Sequence, residues 1–156
     1  MILTPTDFLA MGFRATSEDT ALIERAIKDT ELFFLKSVVG DTIYASMLTP
    51  AQGTDIYDAV NGTATMAGIK QAIGHYAFAL MLVDNVNFTR TGSVKKRDDY
   101  SSQASEDDIY KMQRYHWTIA KRYIDEVCAF LDVRPNYDID YLNEYKLWSG
   151  QQSWPL

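Results

Sequence analysis

The sequence predicts an all-α protein, a small bundle of two to three long helices with several short helices beside them. Apolar residues recur at steps of three and four in three separate segments, which is the spacing of one helix face. Capping residues, prolines and glycines bound these segments. No strand-like alternation is convincing before about the last twenty residues. A chain of 156 residues is most simply one domain and can bury a core without a disulfide or a metal.

The first two helices begin at recognisable N-terminal signals. Thr4 is a capping residue, Pro5 occupies the first helical position and Asp7 lies in the first turn, which predicts a helix of about two turns. A second helix begins at Ser17, which is followed by two acidic residues, and runs for about six turns to Val38. Its apolar stripe consists of Ile23, Ile27, Thr30, Phe34 and Val38.

A helix corner follows at Gly40 and Asp41. Glycine is the usual residue at the left-handed position just past a helix, and an aspartate can cap the next one. The short helix that begins here buries Tyr44 among its apolar residues. We therefore predict that Gly40, Asp41 and Tyr44 form a structural corner that folds the second helix back over the end of the first.

A further short helix and one long helix come next. Gly53 and the pair Asn61-Gly62 bracket at most two turns of helix. The strongest helical pattern extends from about residue 65 to 87. Gly74 inside it lowers helix stability and suggests a close approach by a neighbouring helix. Residues 88–105 have no helical period and predict a long, exposed, polar loop.

The last amphipathic helix begins at Ser105, with Asp108 three residues further on, and ends near Asp132. Its predicted stripe is Ile109, Met112, His116, Ile119, Tyr123, Val127 and Phe130. Cys128, the single cysteine, lies among apolar neighbours and is expected to be a buried thiol. These patterns predict a helical domain over residues 1–132 and a C-terminal extension over residues 133–156.

The C-terminal extension is rich in aromatic residues, namely Tyr137, Tyr141, Tyr145, Trp148 and Trp154. The spacing of the first four fits one face of a helix, but "YDIDY" also alternates like a strand, and both conformations remain open. Clusters of Tyr and Trp are typical of interfaces. We expect these five residues to bind a partner protein, and the alternative is packing on their own helical domain.

A formal net charge of −6 argues against a protein whose whole surface binds nucleic acid, because phosphate binding needs clustered Lys and Arg. The one basic cluster is Lys95-Lys96-Arg97. Asp98 and Asp99 follow it, so a solvated loop is the simpler interpretation. A loop tip that faces DNA or a negatively charged surface inside an assembly is the alternative.

No segment predicts a membrane span or a signal peptide, since the first residues lack a basic region and a long apolar core. We therefore expect a soluble protein made in a reducing compartment and having no membrane partner.

The sequence offers no catalytic, cofactor-binding or metal-ligating set. His75 and His116 lie on or beside apolar stripes without metal-ligand spacing, so each is expected to be a core or rim histidine. Glu24 and Glu31 share a helix face, but the second carboxylate pair and the histidines of a di-iron bundle are missing. Nucleophile and phosphate-binding motifs are absent. We predict that the protein is not an enzyme.

The segments "ALIERAIKDTELFFLKSVVGDTIYASML" and "AIGHYAFALMLVDNV", with the polar loop and last helix behind them, resemble the head-to-tail connector (adaptor) proteins of tailed bacteriophages. The resemblance covers about residues 15–132. Its most specific residues are Ile23, Ala26, Gly40, Asp41, Ile43 and Tyr44, followed by the helix from Tyr76 to Asn87.

The resemblance implies a structural virion protein, made in the host cytoplasm, that forms a ring of usually twelve identical subunits at the neck. Expected partners are the portal protein and further neck or tail proteins, which the loop and the C-terminal extension would reach. Genome DNA would pass the lumen without specific binding. The alternative is a small cytosolic helical binding or regulatory module that grips a partner with its aromatic tail. An enzyme with a metal in the bundle core is the weakest hypothesis.

Overall fold

The computed structural model describes residues 1–13, 20–84 and 106–137, and every regular element in these ranges is helical. The elements are α1 (Pro5–Ala10), α2 (Thr20–Asp29), a π-helical segment (Thr30–Leu35), α3 (Lys36–Val39), α4 (Asp41–Leu48), α5 (Asp55–Asn61), α6 (Gly68–Asp84) and α7 (Glu106–Phe130). The all-α prediction is confirmed for these residues. The predicted loop over residues 88–105 and the extension from residue 138 onward lie outside them.

Helix α1 begins as predicted. The Thr4 hydroxyl accepts the backbone N–H of Asp7 at 3.1 Å, and the Asp7 carboxylate accepts the backbone N–H of Thr4 at 3.4 Å. This reciprocal capping box satisfies two donors that a helix N-terminus otherwise leaves without partners. It fixes the direction in which the first residues enter the helical domain.

The second predicted helix is continuous from α2 to α3, but its middle is π-helical rather than regular. A π-helical turn holds more residues than an α-helical turn, so it changes which side chains face the core. Within this segment Glu31 and Leu35 are buried, whereas Leu32 and Phe33 are each half exposed. The regular 3.6-residue period used for the prediction could not place these residues.

The corner between α3 and α4 differs in detail from the prediction. Gly40 has φ of 84° and ψ of 158°, so its φ is positive but its backbone is extended rather than left-handed helical. This region of backbone conformation is essentially restricted to glycine. Gly40 itself occupies the cap position, whereas Asp41 is the first residue of α4 and its carboxylate lies 3.4 Å from Lys36 Nζ. Tyr44 is buried, as expected.

Two glycines make the tight connection from α5 to α6. Gly62 and Gly68 both have positive φ, and a Cβ atom on Gly68 would lie 2.4 Å from the backbone nitrogen of Gly62. This contact leaves no room for a side chain at position 68. Helix α6 begins at Gly68, three residues after the predicted start. The close approach predicted at Gly74 is also present. However, it is made by the side chains of Met11 and Phe13, which follow α1, and not by a long helix.

Helices α6 and α7 form the main antiparallel pair. Ring contacts join His75 to Tyr123 and Phe78 to His116, which shows that the two helices run in opposite directions. The buried side of α7 consists of Ala120, Ile124, Val127 and Cys128. The predicted stripe was therefore wrong at Met112 and Phe130, which are nearly half exposed, and right at Val127.

One hydrophobic core joins these elements. Its largest fully buried side chains include Phe8, Ile27, Leu35, Met47, Ile73 and Ile124, which come from α1, α2, the π-helical segment, α4, α6 and α7. Among the helices that the structure describes, none is long and apolar enough to cross a membrane.

Candidate functional site

Tyr137 is the one predicted partner-binding aromatic residue that the structure describes, and it packs on its own helical domain. Its hydroxyl donates to Asp125 Oδ1 at 2.5 Å, and Lys121 Nζ lies 4.2 Å from the centre of its ring. The backbone N–H of Asn136 donates to the Val38 carbonyl at 3.0 Å. Burial, followed by the hydrogen bond to Asp125, raises the pKa of Tyr137 well above its ordinary value. Residues 133–137 are therefore attached to the domain.

The other predicted interface residues lie outside the described ranges. They are Tyr141, Tyr145, Trp148 and Trp154 of the extension and Lys95, Lys96 and Arg97 of the loop. Their proposed roles stay predictions.

The first described turns of α7 form an exposed aromatic and basic surface that the sequence analysis did not single out. We call Tyr110, Lys111, Met112, Arg114 and Tyr115 the α7 outer face. Five of the six residues in this stretch are exposed. The exposed fraction is 46% for Tyr110, 48% for Met112 and 62% for Tyr115. Tyr, Met and Arg are enriched in protein interfaces, so this face has the composition of a contact surface.

The charge of this part of α7 has one sign. From Tyr110 to Arg122 the sequence contains two lysines and two arginines and no aspartate or glutamate. Lys121 and Arg122 form ion pairs with residues four positions on, Asp125 and Glu126, at 2.7 and 3.0 Å. The other two basic residues, Lys111 and Arg114, are exposed on the outer face.

A second surface, on α4 and α5, has the opposite charge. Residues 37–69 contain three aspartates and no Lys, Arg or His. Asp55 is exposed and Asp58 is partly exposed on α5, and Leu48 at the end of α4 is 39% exposed. We call Leu48, Asp55 and Asp58 the acidic surface. The sequence shows that this stretch has no basic residues, but only the fold brings the α4 and α5 residues together.

His75 on α6 and His116 on α7 meet across the helix pair. Their Nδ1 atoms lie 2.8 Å apart, so one imidazole donates and the other accepts. The rings of Phe13, Phe78 and Tyr123 contact the pair. Burial lowers the pKa of both histidines, and the neighbouring His116 lowers the pKa of His75 further, to about 4. The pair is therefore a neutral hydrogen-bonded link between α6 and α7.

Glu31 is a buried carboxylate in the first turn of the π-helical segment. Its Oε1 atom accepts the backbone N–H groups of Ile2 at 2.6 Å and Leu3 at 3.1 Å, and its Oε2 atom accepts the Tyr44 hydroxyl at 3.3 Å. Burial, then the charge of Glu31, raises the pKa of Tyr44. These bonds give Glu31 a structural role, since they hold residues 2 and 3 against the corner helix α4.

The remaining candidates for chemistry are the Cys128 thiol and a metal site. Burial, then the charge of Asp125, raises the pKa of the Cys128 thiol to about 11, so the reactive thiolate is not formed near neutral pH. Across residues 1–13, 20–84 and 106–137, no three His, Cys, Asp or Glu side chains come together as a metal site.

A model of a family of unknown function, DUF6712, matches residues 20–148 of the chain. The match begins at the first residue of α2 and includes all later helices. Comparison with curated proteins and with solved structures gives no significant match.

Proposed function

This chain belongs to DUF6712, a family of unknown function, and we propose that it is a structural protein of a phage virion. In this proposal it is a head-to-tail connector whose copies, usually twelve, form a ring between the portal and the tail or the next neck ring. Each copy supplies a small helical bundle, and its C-terminal extension reaches the portal or the neighbouring ring.

The α7 outer face is the observation that carries this proposal. Tyr110, Met112 and Tyr115 present large apolar side chains to solvent on a helix that packs along α6. Burying apolar area stabilises association by roughly 25 cal/mol per Å² before the costs of ordering are subtracted. A protein that works by assembly uses such a surface, whereas an isolated bundle gains nothing from it.

The charge of the chain supports the same role. Genome DNA has to slide through the lumen of a connector, and a strongly basic lumen would bind its phosphates. A formal net charge of −6 is compatible with passage without specific binding. In this role the protein needs no cofactor, metal or catalytic residue.

The proposal is tested with the portal protein encoded in the same genome. The purified chain and the portal are mixed, and the complex is analysed by electron microscopy and by native mass spectrometry. We expect a ring of the chain on one end of the portal, with portal alone as the control. A chain that neither forms a ring nor binds the portal would contradict the proposal.

The alternative function, a cytosolic binding module, makes a different prediction in the same experiment. It expects a monomer that binds one partner protein through the aromatic C-terminal extension, residues 133–156, without a ring. Tyr137 already contacts Asp125 and Lys121 of its own domain, so it is not available to a partner in either function. The connector proposal is preferred because it also gives the exposed residues Tyr110, Met112 and Tyr115 a role, which a monomer that binds only through its tail does not.

A further inference from the structure

We propose that residues 138–148 of one copy bind the α7 outer face of the next copy in the ring. This inference rests on the connector function proposed above, and it names the contact that joins neighbouring subunits. The occupant of the outer face is thus a segment of a second copy of this chain. Residues 149–156, which include Trp154, then remain for the portal or the neighbouring ring.

The outer face presents three large side chains that are roughly half exposed. The exposed fractions of Tyr110, Met112 and Tyr115 lie between 46% and 62%. Aromatic rings pair favourably with other aromatic rings, and the thioether of a methionine also packs well against them. The partner that fits this surface is therefore a segment rich in aromatic side chains.

The C-terminal extension supplies such side chains. Tyr141, Tyr145 and Trp148 all fall within the eleven residues that follow Tyr137. A buried aromatic side chain covers about 150 to 250 Å², so three of them cover roughly 450 to 750 Å². A stable interface buries about 800 Å² on each partner. These three residues therefore provide most of the area that such a contact needs.

The position of Tyr137 determines on which side of α7 the extension starts. Its hydroxyl donates to Asp125 and its ring lies beside Lys121 Nζ. Each residue of an α-helix turns by about 100°, so Tyr115 lies about 120° and Met112 about 180° around the helix from Lys121. The extension of the same chain therefore starts on the side of α7 away from Met112, whereas a neighbouring copy approaches that side directly.

The extension is also long enough to reach a neighbour. An extended chain spans about 3.3 Å per residue, so residues 138–148 span up to about 36 Å. The part of α7 between Lys121 and Tyr110 is about 17 Å long at 1.5 Å per residue. The segment is therefore longer than the helix surface in front of it and extends beyond its own domain when it is fully stretched.

Both parts of the proposed contact lie within the residues that match the family model. The match ends at Trp148, so it includes the outer face and residues 138–148 but not Trp154. This division is expected if the ring contact is common to the family and the last residues serve a partner specific to this chain.

A contact between the extension and the outer face joins two different surfaces, so each copy contributes one surface to each neighbour. Such a contact continues from copy to copy until the rotation per subunit closes a ring. This arrangement is what a connector ring requires.

Two variants of the full chain test the contact. The face variant replaces the three large side chains of the outer face by serine, and the extension variant does the same for the three aromatic residues of residues 138–148. The substitutions are Tyr110→Ser, Met112→Ser and Tyr115→Ser in the first and Tyr141→Ser, Tyr145→Ser and Trp148→Ser in the second. Analytical ultracentrifugation over a concentration series measures association of each variant and of their equal mixture, alone and with the portal. Circular dichroism checks that both variants keep their helices.

We expect each variant by itself to associate at least about tenfold more weakly than the unchanged protein, because aromatic residues at the centre of an interface carry much of its binding energy. The equal mixture should form a dimer of the two variants and nothing larger, since one variant keeps its extension and the other keeps its outer face. Phe130→Ser and Trp154→Ser are the matched controls. Phe130 is 45% exposed at the other end of α7, and both controls should associate like the unchanged protein.

The possible results separate the two proposals. If the unchanged chain forms its ring and neither variant weakens association, the named contact is wrong while the connector function stands. Folded variants that associate weakly but form no dimer in the mixture also overturn the contact, because the extension then does not bind the outer face of another copy. If the unchanged chain neither self-associates nor assembles on the portal, the connector function fails, and the contact fails with it.

Discussion

At the scale of single residues, Glu31 has a structural role for which the sequence gives no sign. Its carboxylate accepts two backbone N–H groups and the Tyr44 hydroxyl while its residue is 2% exposed. A buried carboxylate is tolerated when its lone pairs are satisfied in this way. Because the donors come from residues 2, 3 and 44, Glu31 couples the first residues of the chain to the helix corner.

We expect Glu31→Leu to lower the free energy of unfolding by about 2 to 4 kcal/mol, because the buried N–H groups of Ile2 and Leu3 lose their acceptor. Glu31→Gln keeps one carbonyl oxygen and should cost less, about 1 to 2 kcal/mol. Urea denaturation measures both changes. Glu24→Gln is the control, since Glu24 forms an exposed ion pair with Lys28 and should change stability by less than about 0.5 kcal/mol. Equal effects of Glu31→Leu and Glu24→Gln would contradict this role.

At the scale of elements, the histidine pair makes the packing of α6 on α7 sensitive to acid. In the neutral pair one Nδ1 donates and the other accepts. Protonation of Nε2 on the donor ring leaves this bond in place. Protonation of the acceptor ring at Nδ1 breaks it, because two N–H groups then point at each other. The groups that the structure places against the pair are the rings of Phe13, Phe78, Tyr115 and Tyr123. None of these carries a negative charge near neutral pH that would stabilise the charged imidazoles.

We expect the free energy of unfolding to fall by about 1 to 2 kcal/mol between pH 7 and pH 5. The pKa of His75 is about 4 in the folded chain and near its ordinary value of 6.5 in the unfolded chain, so the unfolded chain binds more protons between these values. The stabilising contribution of neutral His75 is therefore complete above pH 6.5 and is lost as the pH falls toward 4.

Urea denaturation of the unchanged protein and of His75→Phe at both pH values measures this effect. A phenylalanine fits among the rings of Phe13 and Tyr123 and cannot bind a proton, so the variant should lose clearly less stability on acidification. The same loss in both proteins would mean that carboxylates, and not the histidine pair, cause the pH dependence.

At the scale of the whole molecule, residues 133–137 bring the chain back onto the helical domain after α7 ends. The Asn136 N–H reaches the Val38 carbonyl at the end of α3, and the Tyr137 hydroxyl reaches Asp125 on α7. These two contacts join elements that are far apart in sequence. Contacts with the helical domain therefore continue to Tyr137, the last of the described residues.

Two truncations separate folding from partner binding. Removal of residues 138–156 deletes none of the described contacts and should leave the thermal midpoint nearly unchanged while preventing incorporation into the assembly with the portal. Removal of residues 136–156 also deletes the Asn136 and Tyr137 contacts and should cost a further 2 to 3 kcal/mol or so in unfolding free energy.

Thermal and urea denaturation measure the stability of both truncated chains, and copurification with the portal measures incorporation. Equal stability of the two chains would contradict the structural role of Tyr137. Full incorporation of the shorter truncation would mean that the aromatic extension is not the contact, and residues 89–104 would then be the next candidate.

Local signals in the sequence predicted those features that depend on neighbouring residues. The Thr4 cap, the glycine at position 40, the two-turn helix after Gly53 and the burial of Cys128 are all present. Capping and backbone preference act within a few residues of the chain, so they can be read without the fold. The sequence did not show which face of α7 is buried. Met112, Tyr115 and Phe130 are apolar or aromatic yet exposed, so the apolar residues of this helix do not all lie on its buried face.

The sequence by itself determined the all-α class, most helix starts and ends, and the presence of a glycine corner. Only the tertiary structure decided that His75 meets His116, that Glu31 binds the backbone of residues 2 and 3, and that Tyr110 and Tyr115 of α7 are exposed. Each of these depends on how helices pack against one another. Packing is set by the volumes and shapes of many side chains at once, and residues 41 positions apart along the chain give no local sign that they will touch.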